Sequence, residues 1–210
     1  MKIKLCLIGD RAVGKTSLIQ RYVLDQFSEK YSQTMGAKVF KTVVLLPLQL
    51  RRKLMKIDMT LWDIMGDKAL AELTEEAYFR GVQGLLAVCD VTRKSTVESL
   101  DYWIGVVPES VRNVPMYIIV NKSDLVDQVE VVEDDVFRLG RAFSSPIMMT
   151  SAKTGTNVQQ AFEYLAKTIV EKQLGPDIDF LVEQRYGFLD RTAGNSANLF
   201  STRTPISERG

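Results

Sequence analysis

Eight consecutive residues carry the first recognisable chemistry in this chain. Gly9-Asp10-Arg11-Ala12-Val13-Gly14-Lys15-Thr16 fits the pattern GxxxxGK[ST], with Ser17 directly after it. The glycines let the backbone curl so that successive N–H groups point inward at phosphate oxygens. A helix beginning at Lys15 adds the positive end of its dipole to the same spot. Lys15 is then placed to reach the β- and γ-phosphates of a nucleotide, and Thr16 to ligate Mg²⁺ through its hydroxyl. A strand-like run precedes the motif and an amphipathic helical pattern follows, the context a P-loop requires. The motif by itself names neither the base nor the reaction.

A second cluster stands far downstream. Asn121-Lys122-Ser123-Asp124 directly follows the apolar run ending in Val120. The Asp124 carboxylate can accept two hydrogen bonds, from the N1–H and the exocyclic amine of guanine, a donor pair that adenine lacks. Thr150-Ser151-Ala152-Lys153 follows the last strand-like run, where the Ala152 N–H could contact the guanine carbonyl oxygen. Taken singly, each short motif also reads as a solvated turn. In this order behind a P-loop, they point to a guanine nucleotide.

The elements that must position these residues follow from the pattern of apolar residues. Short apolar runs alternate with amphipathic stretches, which predicts an α/β fold with a mostly parallel sheet. Strands are expected over Ile3–Ile8, Lys38–Leu46, Met55–Asp63, Gly84–Asp90, Met116–Asn121 and Pro146–Thr150. The second and third form a hairpin whose turn spans Pro47 to Arg52. Helices are expected over Lys15–Gln26, Leu70–Arg80, Val97–Val107, Glu133–Phe143 and Val158–Lys172. A length of 210 residues suits one domain, assigned to 1–173, with 174–210 as a partly disordered extension.

Composition narrows the function classes. Lys and Arg total 27 against 26 acidic residues, a net charge of +1 that gives no reason to expect nucleic acid as partner. The absence of histidine excludes His-based catalysis. Cys6 and Cys89 sit inside apolar runs and read as buried, reduced thiols. The apolar start is too brief for a signal peptide, and no run of about 18 apolar residues follows, so a soluble, cytoplasmic protein is expected.

With these residues in view, the chain resembles a Ras-superfamily small GTPase, most similar to the Rab and Ras branches, over about residues 2–172. Five motifs stand in order: GDRAVGKT, Thr34 in the first switch stretch, WDIMG, NKSD and TSAK. The resemblance implies a P-loop NTPase fold, a six-stranded sheet with the second strand antiparallel and about five flanking helices. It implies GTP or GDP with Mg²⁺ as ligands. It places Thr34 on Mg²⁺ and the γ-phosphate, the Gly66 N–H on the γ-phosphate, and Asp63 on Mg²⁺ through water. Phe27 falls where the family packs an aromatic on the guanine, and Tyr31 where a tyrosine covers the phosphates. Effectors, an exchange factor and a GTPase activator would act through switches I and II.

Two positions depart from the family. The switch II glycine is usually followed by a glutamine that orients the attacking water; here Asp67 follows Gly66. Aspartate is one methylene shorter, offers no N–H donor when ionised, and brings a negative charge near the γ-phosphate, so slow hydrolysis is expected. Arg11 stands where Ras proteins carry glycine. It could point into solvent, clash with a partner's arginine finger, supply positive charge in cis, or pair with Asp67. Switch II and the hairpin are also slightly longer than usual, which prevents transfer of partner identities from any subfamily.

No cysteine follows Cys89, so prenylation is not expected. After Leu174, four arginines face five acidic residues, which makes no polybasic patch. Membrane contact is therefore expected only through a protein partner, and Phe180–Leu189 could dock on the domain or bind a partner. Two functions stay open at this point: a GTP/GDP switch with slow hydrolysis, and a GTP-loaded interaction module with negligible turnover. A P-loop nucleotide kinase is opposed by NKSD and TSAK.

Overall fold

A strand covered by helices on both faces reads as an unbroken apolar run, and Leu5–Ile8, Gly84–Cys89 and Tyr117–Val120 read that way. In the computed structural model, which describes residues 1–30, 32–48, 53–68 and 77–175, these runs form the middle of one sheet. The strands are β1 (Lys2–Ile8), β2 (Ala37–Leu48), β3 (Lys53–Ile64), β4 (Gly84–Asp90), β5 (Met116–Asn121) and β6 (Ile147–Met149). Their order is β2-β3-β1-β4-β5-β6; β2 runs antiparallel to β3, and every other neighbouring pair is parallel. Four α-helices lie among the described residues: α1 (Lys15–Leu24), α2 (Lys94–Gly105), α3 (Glu133–Ala142) and α4 (Val158–Leu174). Residues 77–79 are helical too; most of the helix expected over Leu70–Arg80 lies outside the described residues. The expected fold class is the one observed.

Alternate side chains of β1 and β4 divide the core in two. Leu5, Leu7, Leu86 and Val88 pack with Leu18 and Ile19 of α1 and with Phe162, Leu165 and Ile169 of α4. Cys6, Ile8, Ala87 and Cys89 pack on the other face with Val97, Leu100 and Trp103 of α2 and Val136 of α3. Tyr22 and Phe162 stack at 4.3 Å between α1 and α4. Both cysteines are free and buried, and burial pushes the Cys6 thiol up to about 12. No helix among the described residues is long and apolar enough to cross a membrane.

Element ends differ from expectation where a local contact intervenes. The hairpin strands run on through Pro47, which pairs with Leu54. Proline is tolerated there because β2 is the edge of the sheet. Helix α2 starts at Lys94, a turn before its first apolar residue, because the Thr96 hydroxyl donates to the Arg93 carbonyl at 2.7 Å and accepts from the Asp90 N–H at 2.9 Å. Helix α1 stops at Leu24, where Asp25 turns left-handed with φ 51°. Helix α4 continues through Leu174, just past the expected domain boundary. The hairpin tip (49–52) and all of the chain from Pro176, including Phe180–Leu189, lie outside the described residues.

Because β1, β3, β4, β5 and β6 are parallel, their carboxyl ends emerge along one edge. Gly9, Asp63, Asp90, Asn121 and Thr150, at the strand ends or just past them, are thereby brought together, and ligands of open α/β sheets bind at that edge.

Candidate functional site

The loop after β1 is shaped by two glycines at positions where any side chain would be strained. Gly9 has φ 134°, and a Cβ there would lie 2.1 Å from the Val88 carbonyl oxygen; Gly14 has φ 100°, and its Cβ would meet Asn121 Nδ2 at 2.2 Å. With Ala12 also left-handed at φ 59°, the loop curls over the start of α1. Lys15 reaches back beneath it, its Nζ donating to the carbonyls of Gly9 (2.6 Å) and Asp10 (2.8 Å). Burial lowers the Lys15 ammonium to about 8, opposed by the nearby carboxylates of Asp63 and Asp10.

Three oxygen-bearing side chains from different elements meet beside Lys15. The Thr16 hydroxyl donates to Asp63 Oδ2 at 2.5 Å, the Thr34 hydroxyl donates to the same oxygen at 3.1 Å, and the two hydroxyls are 3.1 Å apart. Asp63 is fully buried, which raises its carboxyl above the ordinary value, and its Oδ1 has no hydrogen-bond partner. A buried carboxylate with one oxygen unsatisfied, next to two hydroxyls, is a hard-oxygen set that fits Mg²⁺.

The other end of the cleft is built on Asn121. Its Nδ2 donates to the Val13 carbonyl at 2.9 Å, and its Oδ1 accepts from Thr150 Oγ1 at 3.1 Å and from the Ala152 N–H at 3.2 Å. One buried amide at the end of β5 therefore ties the phosphate loop to the loop after β6. Ser151 Oγ donates to Asp124 Oδ1 at 2.6 Å and fixes that carboxylate. Lys153 pairs with Glu29 at 3.0 Å.

These residues enclose a cleft of about 670 Å³, lined at one end by Lys15, Thr16, Thr34, Asp63 and Gly66 and at the other by Phe27, Asn121, Lys122, Asp124, Ala152 and Lys153. Arg11, Ala12, Gly14 and Ser17 line it too. Val13 belongs to the core and Ser151 stands behind Asp124, so both support the cleft from outside. The Asp10 carboxylate turns away to accept a bond from Trp103 Nε1 at 2.7 Å. Gly66 presses on the phosphate loop: a Cβ there would lie 2.5 Å from the Asp10 carbonyl carbon. Next to it, Asp67 pairs with the Arg11 guanidinium, so that of the four possibilities for Arg11 the structure shows the ion pair. Tyr31 lies outside the described residues.

Four residues that the motifs do not flag hold the site together. Asp90, fully buried at the end of β4, binds Lys122 Nζ at 2.6 Å and Arg93 Nε at 3.0 Å. Burial alone would raise the Asp90 carboxyl, but Lys122 and the Thr92 donors outweigh it and hold it below the ordinary value. Arg93 continues to the Arg11 carbonyl at 3.1 Å. Arg21 of α1 donates to the carbonyls of Ala152 (2.9 Å) and Lys153 (2.7 Å). Trp103 is the fourth. A charged residue ending a buried strand was the available signal for Asp90; the others have none in sequence.

The Ras family model matches residues 4–171. The chain is 31% identical over 207 residues to the Ras-related protein Rab-13 of Rattus norvegicus, covering 98% of this chain and 91% of that one. It is 37% identical over 171 residues to the Ras-related protein Rab-1A of Dictyostelium discoideum, covering 79% of each. With the GTP-binding protein ypt1 of Schizosaccharomyces pombe it shares 34% over 171 residues, 80% of each chain. A cleft with a phosphate loop at one end and an oriented carboxylate at the other, in a chain matched over most of its length, has one reading: the chain belongs to the Ras family of small GTP-binding proteins, whose members bind GTP and GDP with Mg²⁺ and have GTPase activity.

Proposed function

We propose that this protein is a GTP/GDP switch with slow intrinsic hydrolysis. The observation that carries the reading is the meeting of Lys15, Thr16, Thr34 and Asp63 in the same cleft as Asp124 and Ala152. Lys15 and the backbone N–H groups of residues 9–16 hold the phosphates. Thr16, Thr34 and Asp63 hold Mg²⁺, which when bound offsets charge on the phosphate oxygens. The Gly66 N–H bonds the γ-phosphate, so that losing this phosphate releases both Thr34 and Gly66. Asp124 accepts from the guanine edge, Ala152 donates to the guanine carbonyl, and Phe27 packs on the base.

Hydrolysis is slow in this reading because Asp67 is shorter than the family's glutamine, carries a negative charge and has no donor of its own. Residues 1–173 are the nucleotide-binding domain and 174–210 an extension. The protein acts in the cytoplasm, with effectors, an exchange factor and an activator meeting it through switches I and II. A second reading, an interaction module that stays loaded with GTP, rests on Asp67 standing where the family carries its water-orienting glutamine.

The test is nucleotide analysis of the purified protein, followed by single-turnover hydrolysis with and without Mg²⁺. Bound guanine nucleotide and slow, Mg²⁺-dependent decay of GTP are expected. Absence of guanine nucleotide binding would refute the assignment. No decay at all selects the second reading, and a rate well above that of ordinary small GTPases without partners removes the slow-hydrolysis claim.

A further inference from the structure

Arg11 and Asp67 both depart from the family pattern, and they touch each other. Their contact joins the phosphate loop to the residue after Gly66, between side chains 47% and 20% exposed. Both backbones around the pair are anchored. Arg93 Nη2 donates to the Arg11 carbonyl at 3.1 Å, and Gly66 lies so near that a Cβ on it would be 2.6 Å from the Arg11 nitrogen. On the far side of Asp67, Lys68 Nζ donates to Ser99 Oγ at 2.9 Å, and the Tyr102 hydroxyl donates to the Lys68 carbonyl at 3.1 Å. Asp67 is thus held between fixed neighbours, with its carboxylate on a guanidinium that lines the cleft.

We propose that Asp67, held in place by Arg11, orients the attacking water during GTP hydrolysis; this rests on the reading of the cleft as a GTP-hydrolysing site. A glutamine amide offers an acceptor and a donor on one group. Here the carboxylate supplies the acceptor, while the guanidinium holds it in place and offsets its charge beside the γ-phosphate. The water oxygen bonds to the γ-phosphorus as the bond from that phosphorus to the β,γ-bridging oxygen breaks. The electron pair leaves on the β-phosphate of GDP, and the water proton ends on the released phosphate. Asp67 accepts a hydrogen bond from the water and takes no proton. Arg11 is a positioning residue, acting through Asp67.

Two measurements on the full chain test this. Single-turnover hydrolysis is timed for wild type, Arg11→Ala, Arg11→Lys, Asp67→Ala and the double alanine variant, and hydrogen exchange of the amides of residues 66–68 is followed in the GDP-bound form. Arg11→Ala and Asp67→Ala should each slow hydrolysis by about 10-fold or more. The double variant should be no slower than either single one, because the two act as a unit. Arg11→Lys should recover part of the rate, and both alanine substitutions should speed exchange at 66–68 alike. Losses that multiply in the double variant, an Arg11→Ala rate equal to or above wild type, no recovery with lysine, or unchanged exchange would each overturn the proposal. A wild type that binds GDP and GTP but never turns over overturns it too and leaves the binding assignment standing; failure to bind guanine nucleotide removes the site reading itself.

Discussion

Replacing Asn121 by alanine tests the idea that one buried amide couples the two ends of the cleft. Asn121 is 1% exposed and makes three hydrogen bonds, to the Val13 carbonyl, Thr150 Oγ1 and the Ala152 N–H. Truncation leaves all three partners buried without it. A buried polar group that loses its partner costs about 1–3 kcal/mol. Three of them, partly relieved by an entering water, add to about 3–5 kcal/mol, a large share of the roughly 5–15 kcal/mol that holds a typical domain folded. Urea unfolding followed by circular dichroism reads this directly. With a slope of about 2 kcal/mol per molar, the midpoint should fall by about 1.5–2.5 M with the slope unchanged. The measurement is made without nucleotide and again at saturating GDP, because bound ligand adds its own stabilisation. The GDP-induced gain should also shrink, since Val13 and Ala152 lose their common tie. Thr150→Val, which removes one of the three bonds, should cost only about 1 kcal/mol. A midpoint shift below about 0.5 M for Asn121→Ala would refute the reasoning.

Three further outcomes follow from the same geometry. Ser151→Ala frees the Asp124 carboxylate from its 2.6 Å donor and removes the acceptor of the Thr154 N–H, so it should weaken GDP binding about 10-fold, read by calorimetry, and cost about 1–2 kcal/mol of stability, less than Asn121→Ala. Gly9→Ala forces a Cβ to within 2.1 Å of the Val88 carbonyl oxygen and should abolish nucleotide binding and lower stability by several kcal/mol, on the order of other backbone clashes at strained positions. The Asp90 carboxyl titrates below its unfolded value, because Lys122 and the Thr92 donors outweigh burial. Its stabilisation is therefore complete above an unfolded pKa of about 3.9 and is lost as pH falls through the folded value. The stability difference between wild type and Asp90→Asn should be constant near neutrality and shrink below about pH 4; a difference that persists unchanged into acid would contradict the assignment.

Much of this molecule was legible in the order of its residues. The phosphate loop was, because a GxxxxGK[ST] turn is a local backbone shape that two glycines enforce wherever a strand delivers the chain to a helix. So was the expectation of a guanine nucleotide, which rested on the chemistry of a single carboxylate, Asp124. The central strands β1, β4 and β5 were readable because residues buried on both faces leave an unbroken apolar run, and their parallel direction follows from the helices in the connections; β2 and β3 read instead as a hairpin, which makes β2 antiparallel. Element ends were less legible: α2 begins on polar residues held by the Thr96 hydroxyl, and Pro47 continues a strand only because that strand is the sheet edge.

What only the folded chain decided is where side chains distant in sequence turn. Sequence left Arg11 open among solvent, a clash with a partner, charge supplied in cis and pairing with Asp67; it is the press of Gly66 on the phosphate loop that brings the carboxylate to the guanidinium. Asp10 stands in the phosphate motif, yet its carboxylate serves the Trp103 indole of α2. The run from Lys122 through Asp90 and Arg93 to the Arg11 carbonyl crosses three strand ends, and no periodicity announces it. Motifs record what the backbone does over a few residues. Contacts among loops at the carboxyl edge depend on strand order and helix packing, and these exist only once the sheet has formed.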